Sequence, residues 1–257
     1  MTDAGDVLTR VVAGRTVADS LQQAVAVGAL RPLDEGTWLR PDTDGTPSDW
    51  VREHRDASRH CRFYMGVMFN HVYGKRQVPA GCATCFKVKV VPRNLRELVA
   101  LRDVGHDLPY TYKCGLDAGT AHTSGLYGGY FYVHGLDAAR DAHRVVREAV
   151  DGHSGLGTDV TVFIKRGCTE YEIHCGPSDR FTFQPEQAEL EAAVFVHIRL
   201  EPSKPYSRIR VQQTLAHWIR EAYRLGDDSY LDFTGGRRLY PAAVRYDAQH
   251  SSEGGVS

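Results

Sequence analysis

The chain of 257 residues is marked first by what it lacks. No apolar run approaches the roughly 18 residues that a membrane-spanning helix needs, so no membrane partner is expected. The opening stretch, MTDAGDVLTR, carries acids where a secretory signal has a basic region followed by an apolar one. A cytoplasmic protein is expected, and disulfides with it are not. The formal net charge is -1, so the overall basic character of a nucleic-acid binder is missing, and nucleic acid is not expected as a partner. Lysine is scarce among cations that are mostly arginine, a bias that fits a GC-rich bacterial source. There is no Gly-x-Ser-x-Gly elbow, no Gly-x-Gly-x-x-Gly turn, no P-loop and no His-Glu-x-x-His pair. Serine-hydrolase, dinucleotide-binding and zincin chemistry therefore have no support, and the triple-cysteine spacing of radical-SAM enzymes is absent too.

What is present is an ordinary globular composition, 42% hydrophobic and 25% charged, long enough to bury a core without staples. Residues 1–30 read as an N-terminal helical segment, with Val17, Leu21 and Gly28 at helical intervals. Residues 31–47 are rich in Pro, Gly and Asp and read as a loop. A helix is expected to open at Ser48, with Trp50, His54, Ala57, Cys61, Met68 and Val72 on one stripe. That placement makes Cys61 a buried apolar thiol.

The middle of the chain alternates more regularly. Phe86, Val88 and Val90 interleave with Lys87 and Lys89 as in a half-buried strand. A helix follows, with Asn94 and Glu97 in a capping-box relation. Then come strands LPYTYKCG and GGYFYV, a helix GLDAARDAHRVVREAVDG, and a strand DVTVFIKRG. This β-α-β-β-α-β order over about residues 86–166 predicts an α+β fold with a ferredoxin-like split βαββαβ core. EYEIHCG reads as a fifth strand, with Tyr171, Ile173 and Cys175 on one side. PEQAELEAAVFVHIRL reads as a helix running into a strand, and SRIRVQQTLAHWIREAYRLG as an amphipathic helix of a C-terminal helical extension. SYLDFTG reads as a short strand. One domain is expected over 48–245, and a disordered tail over 246–257.

The six cysteines need a place in this scheme. With the first and third strands taken as parallel neighbours, the start of strand one and the ends of strands two and four share a rim. Cys82, Cys85, Cys114 and Cys168 would meet there as a four-thiolate site. Four thiolates suit an iron–sulfur cluster or tetrahedral zinc. Cys61 and Cys175 are expected to be dispensable for the metal.

Polar residues join the same rim. Glu170, Glu172 and His174, sharing a face of an extended segment, and Lys165 beside them, are the candidate acid/base groups. Arg166, together with Asp117, Thr120, His122 and Thr123 of a Gly-rich loop, is the candidate substrate-binding set. Two readings follow. One is a metal-dependent enzyme, a lyase or oxidoreductase, with an iron–sulfur cluster and a small polar substrate, served by an electron-transfer partner if the cluster carries electrons. The other is a zinc-stabilised module binding single-stranded nucleic acid or a protein, for which the tyrosines of GGYFYV would supply stacking surface. The oligomeric state is left open.

Overall fold

The computed structural model describes residues 4–42, 49–53, 60–118, 125–202 and 207–241. Helix α1 (Ala4–Thr9) leads into a minimal hairpin, β1 (Val11–Val12) and β2 (Arg15–Thr16). Thr16 then caps α2 (Val17–Ala26), its hydroxyl accepting from the Asp19 N–H at 3.0 Å. Residues 31–40, expected as loop, form a second hairpin, β3 (Arg31–Asp34) and β4 (Thr37–Arg40). Only Trp38 of these two strands is buried, so no period-two pattern marks them. Trp50–Glu53 is an edge strand, β5, not the start of a helix; the expected cap Ser48 lies outside the described residues. The helix expected through Cys61 begins at that residue. It is α3 (Cys61–Phe63), continued by a π-helical stretch, Tyr64–Val72.

The central elements are β6 (Cys85–Val91), α4 (Leu95–Asp107), β7 (Thr111–Leu116), β8 (Tyr127–His134), α5 (Leu136–Gly152) and β9 (Thr161–Arg166). The remainder is α6 (Thr169–Cys175), α7 (Pro185–Val196), β10 (Ile198–Leu200) and α8 (Arg208–Leu225). Asp228–Phe233, read as a strand, is a 3₁₀ turn that begins where the Asp227 carboxylate accepts from the Ser229 N–H at 3.0 Å. The molecule is thus mixed α/β with several sheets. Among the described residues no helix is long and apolar enough to cross a membrane.

The main sheet has the order β5-β7-β8-β6-β9, and every neighbouring pair is antiparallel. This corrects the expectation that the first and third strands of the core, β6 and β8, run parallel. Each helix crossover leaves a gap, and the strand filling it comes from the other half and runs the opposite way. Strands β6 and β7 consequently point in the same direction, so the end of β7 lies at the rim opposite the start of β6. The end of β9 does return to the start of β6, with Arg166 paired to Phe86.

One face of this sheet is apolar. Val88, Val90, Tyr112, Cys114, Phe131 and Val133 pack on Leu98 and Leu101 of α4, Ala142 and Val146 of α5, and Trp218 of α8. Asn94 caps α4 by accepting from the Glu97 N–H at 3.0 Å. Gly129 lets α4 come close, since a Cβ there would stand 2.4 Å from Leu101 Cδ2. A second core joins α2, the π-helical stretch, β4, α7 and β10 through Leu21, Trp38, Met68, Val72, Val194 and Ile198. Strand β10 pairs parallel with β4.

Candidate active site at the rim of the sheet

The segment entering β6 is held from below by α7. Glu191, 3% exposed, accepts from the Ala80 N–H at 2.7 Å, the Gly81 N–H at 2.9 Å and the Tyr73 hydroxyl at 2.9 Å. Gln187 donates to the Val78 carbonyl at 3.0 Å. Gly81 lies flat on Tyr64: a Cβ there would fall 2.1 Å from the ring. These contacts fix the 3₁₀ turn Ala80–Cys82 that presents Cys82. Burial raises the Glu191 carboxyl above its ordinary range, although its three hydrogen bonds work the other way. Nothing in the local sequence announces this clamp, because a lone Glu in a helix reads as a solvated residue.

Four thiols gather at the rim. The Cys82 Sγ stands 3.3 Å from the Tyr171 hydroxyl and packs with Cys168, Cys175 and Met65 around Phe69, Val78 and Tyr171. Burial pushes the Cys82 thiol well up; the Tyr171 hydrogen bond opposes this, and the nearby Cys168, Cys85 and Cys61 add to the rise. Tyr132, raised first by its burial, is raised also by Cys168, Cys61 and Cys85. Cys168 is delivered by Gly167, whose positive φ of 61° turns the chain out of β9 while its N–H donates to the Cys85 carbonyl at 2.9 Å. None of the six cysteines is in a disulfide.

The membership differs from the one expected. Cys114 pairs with Gly129 at the level of Val90, toward the far end of β6, and is fully buried in the apolar core. Its strand runs parallel to β6, so its end cannot reach the start of β6. Burial raises its thiol beyond any useful range. Cys61, whose charge acts on the Cys82 thiol, is exposed and stands at the first turn of α3 rather than in mid-helix. Cys175 lies on α6, its Sγ 3.7 Å from the Lys75 carbonyl. Among the described residues, no three Cys, His, Asp or Glu side chains stand close enough together to hold a single metal ion.

The polar candidates are rearranged by one change of element. TEYEIHC is helix α6, not a strand, and it ends at Gly176 with φ 86°. The alternating pattern misled because Tyr171 and Cys175 also satisfy a spacing of four. Ile173, which alternation placed beside them, is 41% exposed. On the helix Glu170 and His174 are neighbours at 3.6 Å, and Glu170 pairs with Lys75 at 3.2 Å. Glu172 points elsewhere and pairs with Lys165. Arg166 donates to the Ser178 and Ala83 carbonyls, both at 3.1 Å, and lies over Phe86, Phe181 and Phe183. It ties the turn after Cys82 to the end of β9. Asp117 is buried and accepts from Lys89 at 3.2 Å and the Tyr130 hydroxyl at 2.6 Å. Thr120, His122 and Thr123 lie outside the described residues.

Cys85 begins the face of β6 that Lys87 and Lys89 continue. Lys113 and Lys165 come to the same face from β7 and β9. Burial, then the charges of Lys87 and Arg52, lower the Lys113 ammonium to about 7, with Cys168 and Asp117 opposing. Burial and Lys87 lower Lys165 to about 8. Alternation across β6 was legible in the sequence; that both of its faces are covered was not. Compared with known proteins, the chain matches no family, no curated protein and no solved structure.

Proposed function

We propose that this protein is an enzyme that holds an iron–sulfur cluster on Cys61, Cys82, Cys85 and Cys168 and acts on a small polar substrate beside it. We read its core, whose strands follow the order 2-3-1-4, as a ferredoxin-like split βαβ arrangement. The observation that carries the function is that Cys61, Cys85 and Cys168, from three segments separated in sequence, all act on the Cys82 thiol.

Cysteine thiolates are the donors that an iron–sulfur cluster takes. A single zinc ion needs its sulfurs about 2.3 Å from one point, whereas a cluster of several atoms takes its thiolates at separate irons. When bound, the cluster would supply Lewis acidity or electron transfer at the rim. The chain's own residues do the rest. Tyr171 orients Cys82, Glu191 fixes the turn before it, and the Gly167 N–H ties Cys168 to the Cys85 strand. Lys165, poised near neutral pH, is the general acid/base candidate best matched to its task. The nucleic-acid alternative finds no such support. Tyr130 is enclosed at 4% exposure, so the stacking surface it would offer a strand is covered.

Anaerobic purification followed by iron and acid-labile sulfide analysis tests this reading. We expect a coloured protein with both elements. Ser substitution at Cys61, Cys82, Cys85 or Cys168 should cut the iron content, while Cys114→Ser and Cys175→Ser should keep it. Anaerobic protein that contains neither iron nor sulfide would overturn the proposal.

A further inference from the structure

Residues directly opposite each other in an antiparallel ladder share a face. Two adjacent rows cross the side of the main sheet turned away from α4 and α5. One row is Arg52, Lys113, Tyr130, Lys89 and Phe163; the next is Thr111, Tyr132, Lys87 and Lys165. Arg52 therefore faces Lys113, and Lys87 faces Lys165. Like charges at opposed positions destabilise a sheet, and water gives little relief at Lys87, which is 4% exposed. Lys89 has Asp117 and Lys165 has Glu172. Lys87 and Lys113 lie instead against rings. The Lys87 Nζ is 5.1 Å from the Tyr130 centroid and 5.6 Å from that of Tyr132. The Lys113 Nζ is 3.9 Å from the Trp50 centroid and 4.9 Å from that of Tyr130. Among the described residues neither makes an ion pair.

Composition singles out the same face. Of the 31 Lys and Arg residues only six are Lys, and four of the six are Lys87, Lys89, Lys113 and Lys165. A fifth, Lys75, pairs with Glu170 beside the rim. In a chain that otherwise uses arginine for positive charge, compact ammonium groups are concentrated where the sheet meets the thiols. Arginine's wide planar fork and lysine's point charge are not interchangeable at close quarters. Local rules broken together, on an enclosed face, mark a functional site rather than a stability device.

We propose that this face binds the substrate, and that the substrate is a small molecule with at least two negative charges, as phosphate or carboxylate groups, held between Lys87 and Lys113. Two ammonium groups that make no ion pair among the described residues call for two charges. Lys87 and Lys89, each 4% exposed, lie too deep for a nucleic-acid strand or a membrane surface to reach. Entry would be from the β9 edge, where Phe163 of the first row is exposed. The inference rests on the proposed enzyme reading for the word substrate, while the binding itself does not need the cluster.

Calorimetric titration of the full chain with inorganic pyrophosphate and with citrate, at constant ionic strength and with the iron content of each preparation measured, tests it. At least one of the two should bind saturably with one site per chain. Lys87→Gln and Lys113→Gln should each weaken that binding at least tenfold, while Arg140→Gln on the outer surface of α5 should leave it within twofold. Should a Gln variant fail to fold, Lys87→Met or Lys113→Met takes its place, because each removes the same charge and keeps the apolar stem. Iron-loaded protein that ignores both anions, or whose binding survives both lysine changes, would overturn the inference. Anion binding by protein that carries no iron even when prepared anaerobically would uphold the anion site and remove the cluster reading alone.

Discussion

Lys113 is a residue held against its own preference. Burial, then Lys87 and Arg52, bring its ammonium to about 7, against about 10.4 for a free lysine. The folded chain therefore binds fewer protons than the unfolded chain between those values, and stability must rise with pH across that window. The penalty is fully present below about pH 7 and fades toward pH 10. Lys165 adds to it in the same direction. Thermal unfolding of the anion-free protein should show Lys113→Met melting higher than the parent at pH 6, with the gap narrowing by pH 9.5. A Lys113→Met protein that melts lower than the parent at pH 6 would mean that the ammonium is compensated by a contact other than those described. At this scale the sequence was partly legible. Cys82, Cys85 and Cys168 could be placed together because the first strand's start and the fourth strand's end share a rim. Cys114 was misplaced by one error of strand direction. Cys61 was hidden because its helix begins at that residue, whereas the apolar stripe extended the helix backwards over β5.

Among the elements, α7 carries more of the site than its sequence suggests. Its Glu191 satisfies three donors at once, and a donor left buried without an acceptor costs about 1–3 kcal/mol. Glu191→Ala should destabilise the protein by about 2–4 kcal/mol, given partial relief by water at the exposed Gly81. Because the turn Ala80–Cys82 loses its anchor, the variant should also take up less iron than a Cys114→Ser protein of equal stability. Urea unfolding and iron analysis on the same preparations check both. Periodicity found most helices and the four central strands, since their apolar residues recur at one unambiguous spacing. It failed for α6, where seven residues fit periods of two and of four equally well. It failed for β3 and β4 as well, whose single buried ring leaves no pattern, and for the π-helical stretch beyond Cys61, whose wider turn no simple spacing announces.

Over the whole molecule, the site lies where two buried cores meet. Phe63, Val67 and Met68, which follow Cys61, belong to the core built on α2 and α7, while Val88 and Val90, which follow Cys85, belong to the core under α4 and α5. Phe69, Val78 and Tyr171 form a third, smaller core against which Cys82 and Cys168 pack. No local pattern could disclose that meeting, because it depends on how distant segments pack. The enclosed lysine face has one further consequence, in the language of chemical labelling. The chain offers few amines to an acylating reagent: six lysines and its terminal amine. At neutral pH an ordinary lysine is almost wholly protonated and unreactive, while burial and its cationic neighbours favour the free amine at Lys113. A limiting dose of a small acylating reagent at pH 7 should therefore mark Lys113 ahead of the more exposed Lys75, as peptide mass mapping would read. Saturating pyrophosphate or citrate, by drawing a proton back onto that nitrogen and covering it, should erase the mark and leave labelling at Lys75 unchanged.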